Sequence, residues 1–185
     1  MRILSGIQPS GKVHLGNVIG ALQQYVAQQE LGESFYFVAD LHALTVLPDP
    51  DELRRLTLQT AATLLAAGVD PERSTVFVQS HVASEHAQLA WILQCVARMG
   101  ELGRMTQFKE KGEGRGDGVS VGLFTYPVLQ AADIVAYDAD CVPIGADQKQ
   151  HVELVRNLAQ PCNHRYGAEV LRVPEPLIKQ VGGRV

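Results

Sequence analysis

Short apolar runs alternate with stretches of helical spacing, and this alternation narrows the possible folds more than any other feature. Residues 2–5 form a short apolar run, and 15–29 follow with helical spacing through Val18, Ile19, Leu22, Tyr25 and Val26. Residues 34–39 (SFYFVA) are aromatic and apolar, which predicts a buried strand. Residues 50–67 predict a strong helix: Asp49 can cap it, Pro50 suits its first turn, Asp51 and Glu52 complement its dipole, and Gly68 can end it. A third strand is expected at 75–79, and an amphipathic helix at 84–99 with Leu89, Ile92, Leu93 and Val96 on one side. A helix is expected to begin near Tyr126 or Pro127 and run to Tyr137, followed by a strand at 141–144 and a helix at 147–159. Strand and helix in strict alternation predict βαβ units, hence an α/β fold with a parallel sheet flanked by helices.

The chain has 185 residues, which fits one domain able to bury its own core. Apolar residues make up 46% and charged residues 19%, a globular balance. A net charge of −4 argues against wholesale binding of nucleic acid. Arg98, Arg104, Lys109, Lys111 and Arg115 do gather in one stretch, readable as a solvated surface or as a phosphate-facing patch. Cys95, Cys141 and Cys162 make no CxxC pair, and the histidines show no HExxH spacing, so neither a structural zinc nor a disulfide framework is expected. The N-terminus turns polar too early for a signal peptide, and no apolar run approaches the roughly 18 residues of a membrane span. The expectation is a cytoplasmic protein without membrane contact.

In open parallel sheets, ligands bind beyond the carboxyl ends of the strands. Here those ends carry Gly6-Ile7-Gln8, Asp40-Leu41-His42, Gln79-Ser80-His81 and Gly145-Ala146-Asp147-Gln148. The first of them opens a GxxxxGK match from Gly6 to Lys12, but Val13 stands where a P-loop needs a hydroxyl for magnesium. A P-loop NTPase is therefore a weak alternative. His14-Leu15-Gly16-Asn17 is more informative, because it opens a helix. Backbone N–H groups at a helix start favour anions, and Gly16 lets a base or phosphate approach closely. His14 can donate to a phosphoryl oxygen as charge develops, or be an ordinary surface residue.

GIQPSGKVHLGN at 6–17 resembles the first motif of class I aminoacyl-tRNA synthetases in its tryptophanyl form, with His14-Leu15-Gly16-Asn17 in place of the usual HIGH. GELGRMTQFKEK at 100–111, LFTYPVLQAADI at 123–134 and VPIGADQKQHVEL at 142–154 resemble the same family, in the same order and at similar spacing. The resemblance covers nearly the whole chain and implies a Rossmann-like nucleotide-binding core. It implies a tryptophan–tRNA ligase: ATP-dependent activation of L-tryptophan to the adenylate, then transfer to tRNA(Trp). Magnesium is implied as cofactor and a homodimer as the assembled state, with apolar residues around Trp91 and Leu93 as possible interface or core.

The resemblance also assigns residues. Gln8, Pro9, Ser10, Gly16 and Asn17 would contact ATP, with His14 near the triphosphate and Lys111 reaching the phosphates. Gly145, Ala146 and Asp147 would lie against the ribose and the magnesium-phosphate side, and Val185 near the adenine. His14, Lys111 and Asp147 are the catalytic candidates. The amino-acid pocket would include Gly6, His42, Gln107, Gln130, Asp133, Val142, Ile144 and Gln148, although His42 and Gln107 also suit turn and surface positions. Leu4 and Gln130 depart from residues found in some relatives at the edge of the indole pocket.

Asp133 has a physical reading of its own. It sits in a segment apolar almost all round, where a carboxylate is costly unless paired. Pattern alone leaves two readings open: a buried, paired acid, or an acid on the one wet stripe of the helix. In the family this position accepts the indole N–H, which would reject analogues lacking that donor. The domain expectation is a catalytic core over 1–185, stopping before the family's KMSKS-type loop and helical anticodon-binding domain. A tryptophan- and ATP-binding module of impaired catalysis is the alternative within the family.

Overall fold

The computed structural model describes residues 1–10, 15–112, 118–144 and 149–178. Among these residues, five parallel strands form one sheet: β1 (Arg2–Ile7), β2 (Glu33–Val38), β3 (Ser74–Val78), β4 (Cys141–Ile144) and β5 (Glu175–Ile178). Their spatial order is β3-β2-β1-β4-β5. The chain works outward from β1 to β3, then crosses back to place β4 on the other side of β1. That reversal is a topological switch point, and the crevice beyond it is where such sheets collect ligands. The expected α/β, Rossmann-like architecture is the one observed.

The helices are α1 (Leu15–Gln28), α2 (Asp40–Ala43), α3 (Pro50–Ala66), α4 (Ala83–Gln94), α5 (Met99–Leu102), α6 (Thr106–Gly112), α7 (Val121–Val135) and α8 (Lys149–Tyr166). Tight 3₁₀ turns follow α2 at Leu44–Val46 and β3 at Gln79–Val82. Asp49 caps α3 as expected, its carboxylate accepting from the N–H groups of Asp51 and Glu52 at 3.0 Å each.

Side chains alternate across a strand with a period of two, so β2 feeds two cores. Phe35 and Phe37 join Leu4, Phe77, Val142 and Ile144 against α4, α7 and α8. Tyr36 and Val38 join Val76, Val78, Leu22, Leu64 and Val69 on the opposite face. Gly6 pairs with Phe37 in register, and a β-carbon there would lie 2.4 Å from the Phe37 ring. The glycine is what allows the tip of that ring to come close to β1.

Four elements differ from expectation. Helix α7 starts at Val121, well before Pro127, because Ser120 caps it with Oγ accepting from the Leu123 N–H at 3.1 Å. Pro127 lies inside the helix, where it denies the Leu123 carbonyl its usual donor. Burial of Tyr126, Val128, Ala131 and Ala132 outweighs that loss. Likewise α8 continues past Ala159 and through Pro161. Strand β5 has no counterpart among the expected elements; it follows Pro174 and contains Pro176, which an edge strand tolerates because only one side is paired. The helix expected over 84–99 stops at Gln94, where Val96 N–H turns back to the Leu93 carbonyl at 3.0 Å, and a separate α5 begins at Met99.

Candidate active site

Four elements converge on the Asp133 carboxylate. Helix α7 places Asp133 inside the larger core at 1% exposure, so of the two readings the buried, paired acid is the correct one. Gln79, in the turn after β3, donates from Nε2 to Asp133 Oδ1 at 2.7 Å. His86 of α4 meets the same oxygen through Nδ1 at 2.5 Å. His42 of α2 meets Oδ2 through Nε2 at 2.7 Å. Local structure delivers each partner. The Asp40 carboxylate accepts from the Ser80 N–H at 2.9 Å, which ties α2 to the turn carrying Gln79. Thr45 Oγ1 donates to the His42 carbonyl at 2.8 Å and holds the end of α2.

The charge balance follows from this geometry. Burial by itself would push the Asp133 carboxyl upward, but hydrogen bonds and charge from His42 and His86 overcome it and hold the group below its ordinary value. The Gln79 amide is oriented by the same logic, since only its nitrogen can face a carboxylate. Gln79 and His86 are both fully buried, whereas the His42 side chain is 13% exposed and lies on the accessible side.

Behind His86, its Nε2 meets the Tyr137 hydroxyl at 2.7 Å. The Tyr137 phenol is pushed up to about 12 by burial, then by the charges of Asp133 and Glu85, so it keeps its proton at neutral pH. Asp133, an acceptor only, requires the hydrogen on Nδ1, while the Tyr137 hydroxyl pairs with Nε2 as donor to a neutral ring or acceptor from a charged one. Phe37 and Phe77 stand edge-on to the imidazole at 6.4 Å each, closing it from water. Nearby, the Tyr126 ring lies edge-on to His42 at 6.4 Å and its hydroxyl meets His151 Nε2 at 3.0 Å. Burial, with the Glu110 charge adding to it, pushes the Tyr126 phenol up to about 12.

The remaining expected residues are placed unevenly. Val142 and Ile144 are buried on β4 in the same core as Asp133, and Gln130 is half-buried one turn before it on α7. Leu4 is packed in that core at 1% exposure, opposite Phe35 in register. Gly6 is exposed near the end of β1, and a β-carbon there would meet the Phe37 ring. Gln8 and Ser10 are exposed and Pro9 buried, just beyond β1. Gly16 and Asn17 lie in the first turn of α1, and Gln107 and Lys111 on α6, with side chains outside the described ones. His14, Gly145, Ala146, Asp147, Gln148 and Val185 lie outside the described residues. Leu93, weighed above as interface or core, is core at 0% exposure. His86 and Tyr137 were not singled out from sequence. His86 is in phase with Leu89, Ala90 and Leu93 on α4, and Tyr137 is four residues beyond Asp133; a polar residue in a core phase was the available signal.

The family described as tRNA synthetases class I (W and Y) matches residues 1–183. The chain belongs to this family. Among curated members, the tryptophan–tRNA ligase of Caldanaerobacter subterraneus is 55% identical over 184 residues, covering 100% of this chain and 55% of that protein. Tryptophan–tRNA ligase 2 of Streptomyces avermitilis is 60% identical over 179 residues, covering 96% of this chain and 52% of that protein. A solved tryptophanyl-tRNA synthetase from Campylobacter jejuni, complexed with ADP and tryptophan, is 42% identical with a TM-score of 0.89, covering 99% of this chain and 56% of that one. This class I synthetase chain thus spans about half the length of the curated relatives it matches.

Proposed function

We propose that this chain is the amino-acid- and ATP-binding part of a tryptophan–tRNA ligase. Its reaction is attack of the tryptophan carboxylate on the α-phosphate of ATP, giving tryptophanyl-adenylate and pyrophosphate, with later transfer to tRNA(Trp). The observation that carries the reading is the buried Asp133 carboxylate. Oδ1 accepts two hydrogen bonds and Oδ2 one among the described residues. A carboxylate has about four acceptor positions, so Oδ2 has capacity for one more N–H donor. An indole N–H suits a charged acceptor walled by apolar residues, and a site built this way rejects ligands without the donor.

The ATP subsite proposed here comprises Gln8, Pro9, Ser10, Gly16 and Asn17 at the turn from β1 into α1, with Gly145, Ala146 and Asp147 after β4. The strands that precede these segments, β1 and β4, flank the switch point, which supports the assignment. His14 and Lys111 are proposed to stabilise phosphate charge, and Val185 to meet the adenine. The amino-acid pocket proposed around Asp133 takes Gly6, His42, Gln107, Gln130, Val142, Ile144 and Gln148. Magnesium is proposed to enter with the triphosphate. It is typically held by one or two carboxylates plus substrate phosphates rather than a protein cage, and no group of three metal-ligating side chains occurs among the described residues. The P-loop alternative lacks its hydroxyl at Val13 and is not favoured.

A homodimer is proposed with α4 and α5 at its surface, since Trp91, Ile92 and Met99 are 67%, 49% and 73% exposed there. A cytoplasmic setting is proposed on the three free cysteines; no helix among the described residues is long and apolar enough to cross a membrane. ATP–pyrophosphate exchange with and without tryptophan tests the central reading. Tryptophan-dependent exchange is expected from the intact chain. Asp133→Ala should cost about 1–3 kcal/mol of tryptophan binding, and unchanged affinity would refute the assignment. Tryptophan binding without exchange would favour the impaired module.

A further inference from the structure

We propose that His86, backed by Tyr137, is a specificity-determining positioning residue: it fixes the plane of the Asp133 carboxylate so that Oδ2 is presented to the donor N–H of the ligand. The inference rests on the reading of Asp133 as the indole acceptor. His86 cannot itself touch a ligand. It is fully buried, and Phe37, Phe77 and Tyr137 surround its ring. Whatever it does for recognition, it does through Asp133.

The terminal torsion of an aspartate is soft and roughly two-fold. A carboxylate held by one bond would swing, presenting either oxygen. Here Gln79 and His86 both hold Oδ1, at 2.7 and 2.5 Å, while His42 alone meets Oδ2 at 2.7 Å. The two buried donors assign Oδ1 to the protein. The half of the carboxylate beside the partly exposed His42 is left for the ligand. Tyr137 completes the device: its hydroxyl, 2.7 Å from Nε2, anchors the far side of the ring whose Nδ1 must donate to the carboxylate. His86 also joins two residues of one chain segment, Asp133 and Tyr137, from a neighbouring helix, so the brace spans α4 and α7.

The test compares tryptophan with its analogue bearing sulfur in place of the indole N–H, each titrated by calorimetry into the intact chain and its variants. The intact chain is expected to prefer tryptophan. In His86→Leu that preference should fall by about tenfold, the worth of a hydrogen bond to a charged group, with analogue affinity nearly unchanged. His86→Asn, which returns an N–H near the Nδ1 position, should recover most of it. Tyr137→Phe preserves the packing and should lower the preference about threefold, which keeps the inference testable if His86→Leu does not fold. Equal weakening of both ligands, or an unchanged preference in both His86→Leu and Tyr137→Phe, would overturn the inference. If the intact chain binds no tryptophan, the underlying reading of Asp133 fails and the inference with it.

Discussion

Two buried polar knots hold this sheet together, and they are built on opposite rules. At the amino-terminal ends of β2 and β3, the neutral Gln29 amide is 7% exposed and fully engaged. Its Oε1 accepts from the Asp70 N–H at 2.7 Å and Ser74 Oγ at 3.0 Å, and its Nε2 donates to the Gly68 and Val26 carbonyls at 3.1 and 3.3 Å. Three of those four partners are backbone groups, which any sequence would supply. Beyond the other ends of the same strands, Asp133 is charged and held, among the described residues, by side chains from three other elements. A neutral amide saturated by backbone is a joint. A buried charge saturated by chosen side chains is costly to maintain, and its persistence calls for a use beyond stability.

Breaking the charged knot should have the largest effect. Asp133→Asn keeps the shape but turns an amide toward three donors, and should destabilise the chain by about 3–5 kcal/mol, measured by urea denaturation. Loss of under about 1 kcal/mol would mean that the donors re-pair with one another or with water. Acidification reaches the same group gradually. The Asp133 carboxyl titrates below its ordinary 3.8 in the folded chain, so its ionised form contributes stability fully present above that value and lost as pH falls through the folded pKa. The stability gap between the intact chain and Asp133→Asn should therefore close in acid, and a gap constant down to acid unfolding would contradict the assignment of charge.

Gln29→Leu should cost about 1–3 kcal/mol by leaving buried backbone groups unpaired, yet leave tryptophan affinity unchanged. A matching loss of affinity would erase the distinction between joint and site. Gly6→Ala should have the smallest effect on stability, about 1 kcal/mol, because a ring edge can move. The displaced Phe37 packs against His86, so tryptophan affinity should fall more than stability does.

Much of this was legible in the chain, for physical reasons that differ by element. Strands β1 to β4 announce themselves because both faces of a parallel sheet are covered and their residues run apolar. Strand β5 did not, because an edge needs fewer backbone donors and tolerates the prolines that mask it. The start of α7 was misjudged because Pro127 looks like a first-turn residue, while the cap that sets the start is Ser120. Asp133 stood out because an acid in an apolar helix is conspicuous. Of its partners, His42 and Gln79 stood among the polar residues at strand ends, but His86 did not stand out. Gln79 follows a strand where a polar residue is ordinary, and His86 lies 47 positions from Asp133 with only its phase on α4 to mark it. Pairing across that distance is a property of the packed sheet and has no local trace.

Trp91 carries one more consequence. It is the chain's single tryptophan, two-thirds exposed on the outer surface of the helix whose inner surface carries His86. All intrinsic indole fluorescence of the unliganded chain therefore comes from one known place. A second molecule settling on α4 would shield that indole from collisional quenchers and shift its emission to the blue. Rearrangement confined to the buried imidazole beneath would leave it dark to both. The helix thus bears its own reporter, one that distinguishes association on its outside from adjustment on its inside.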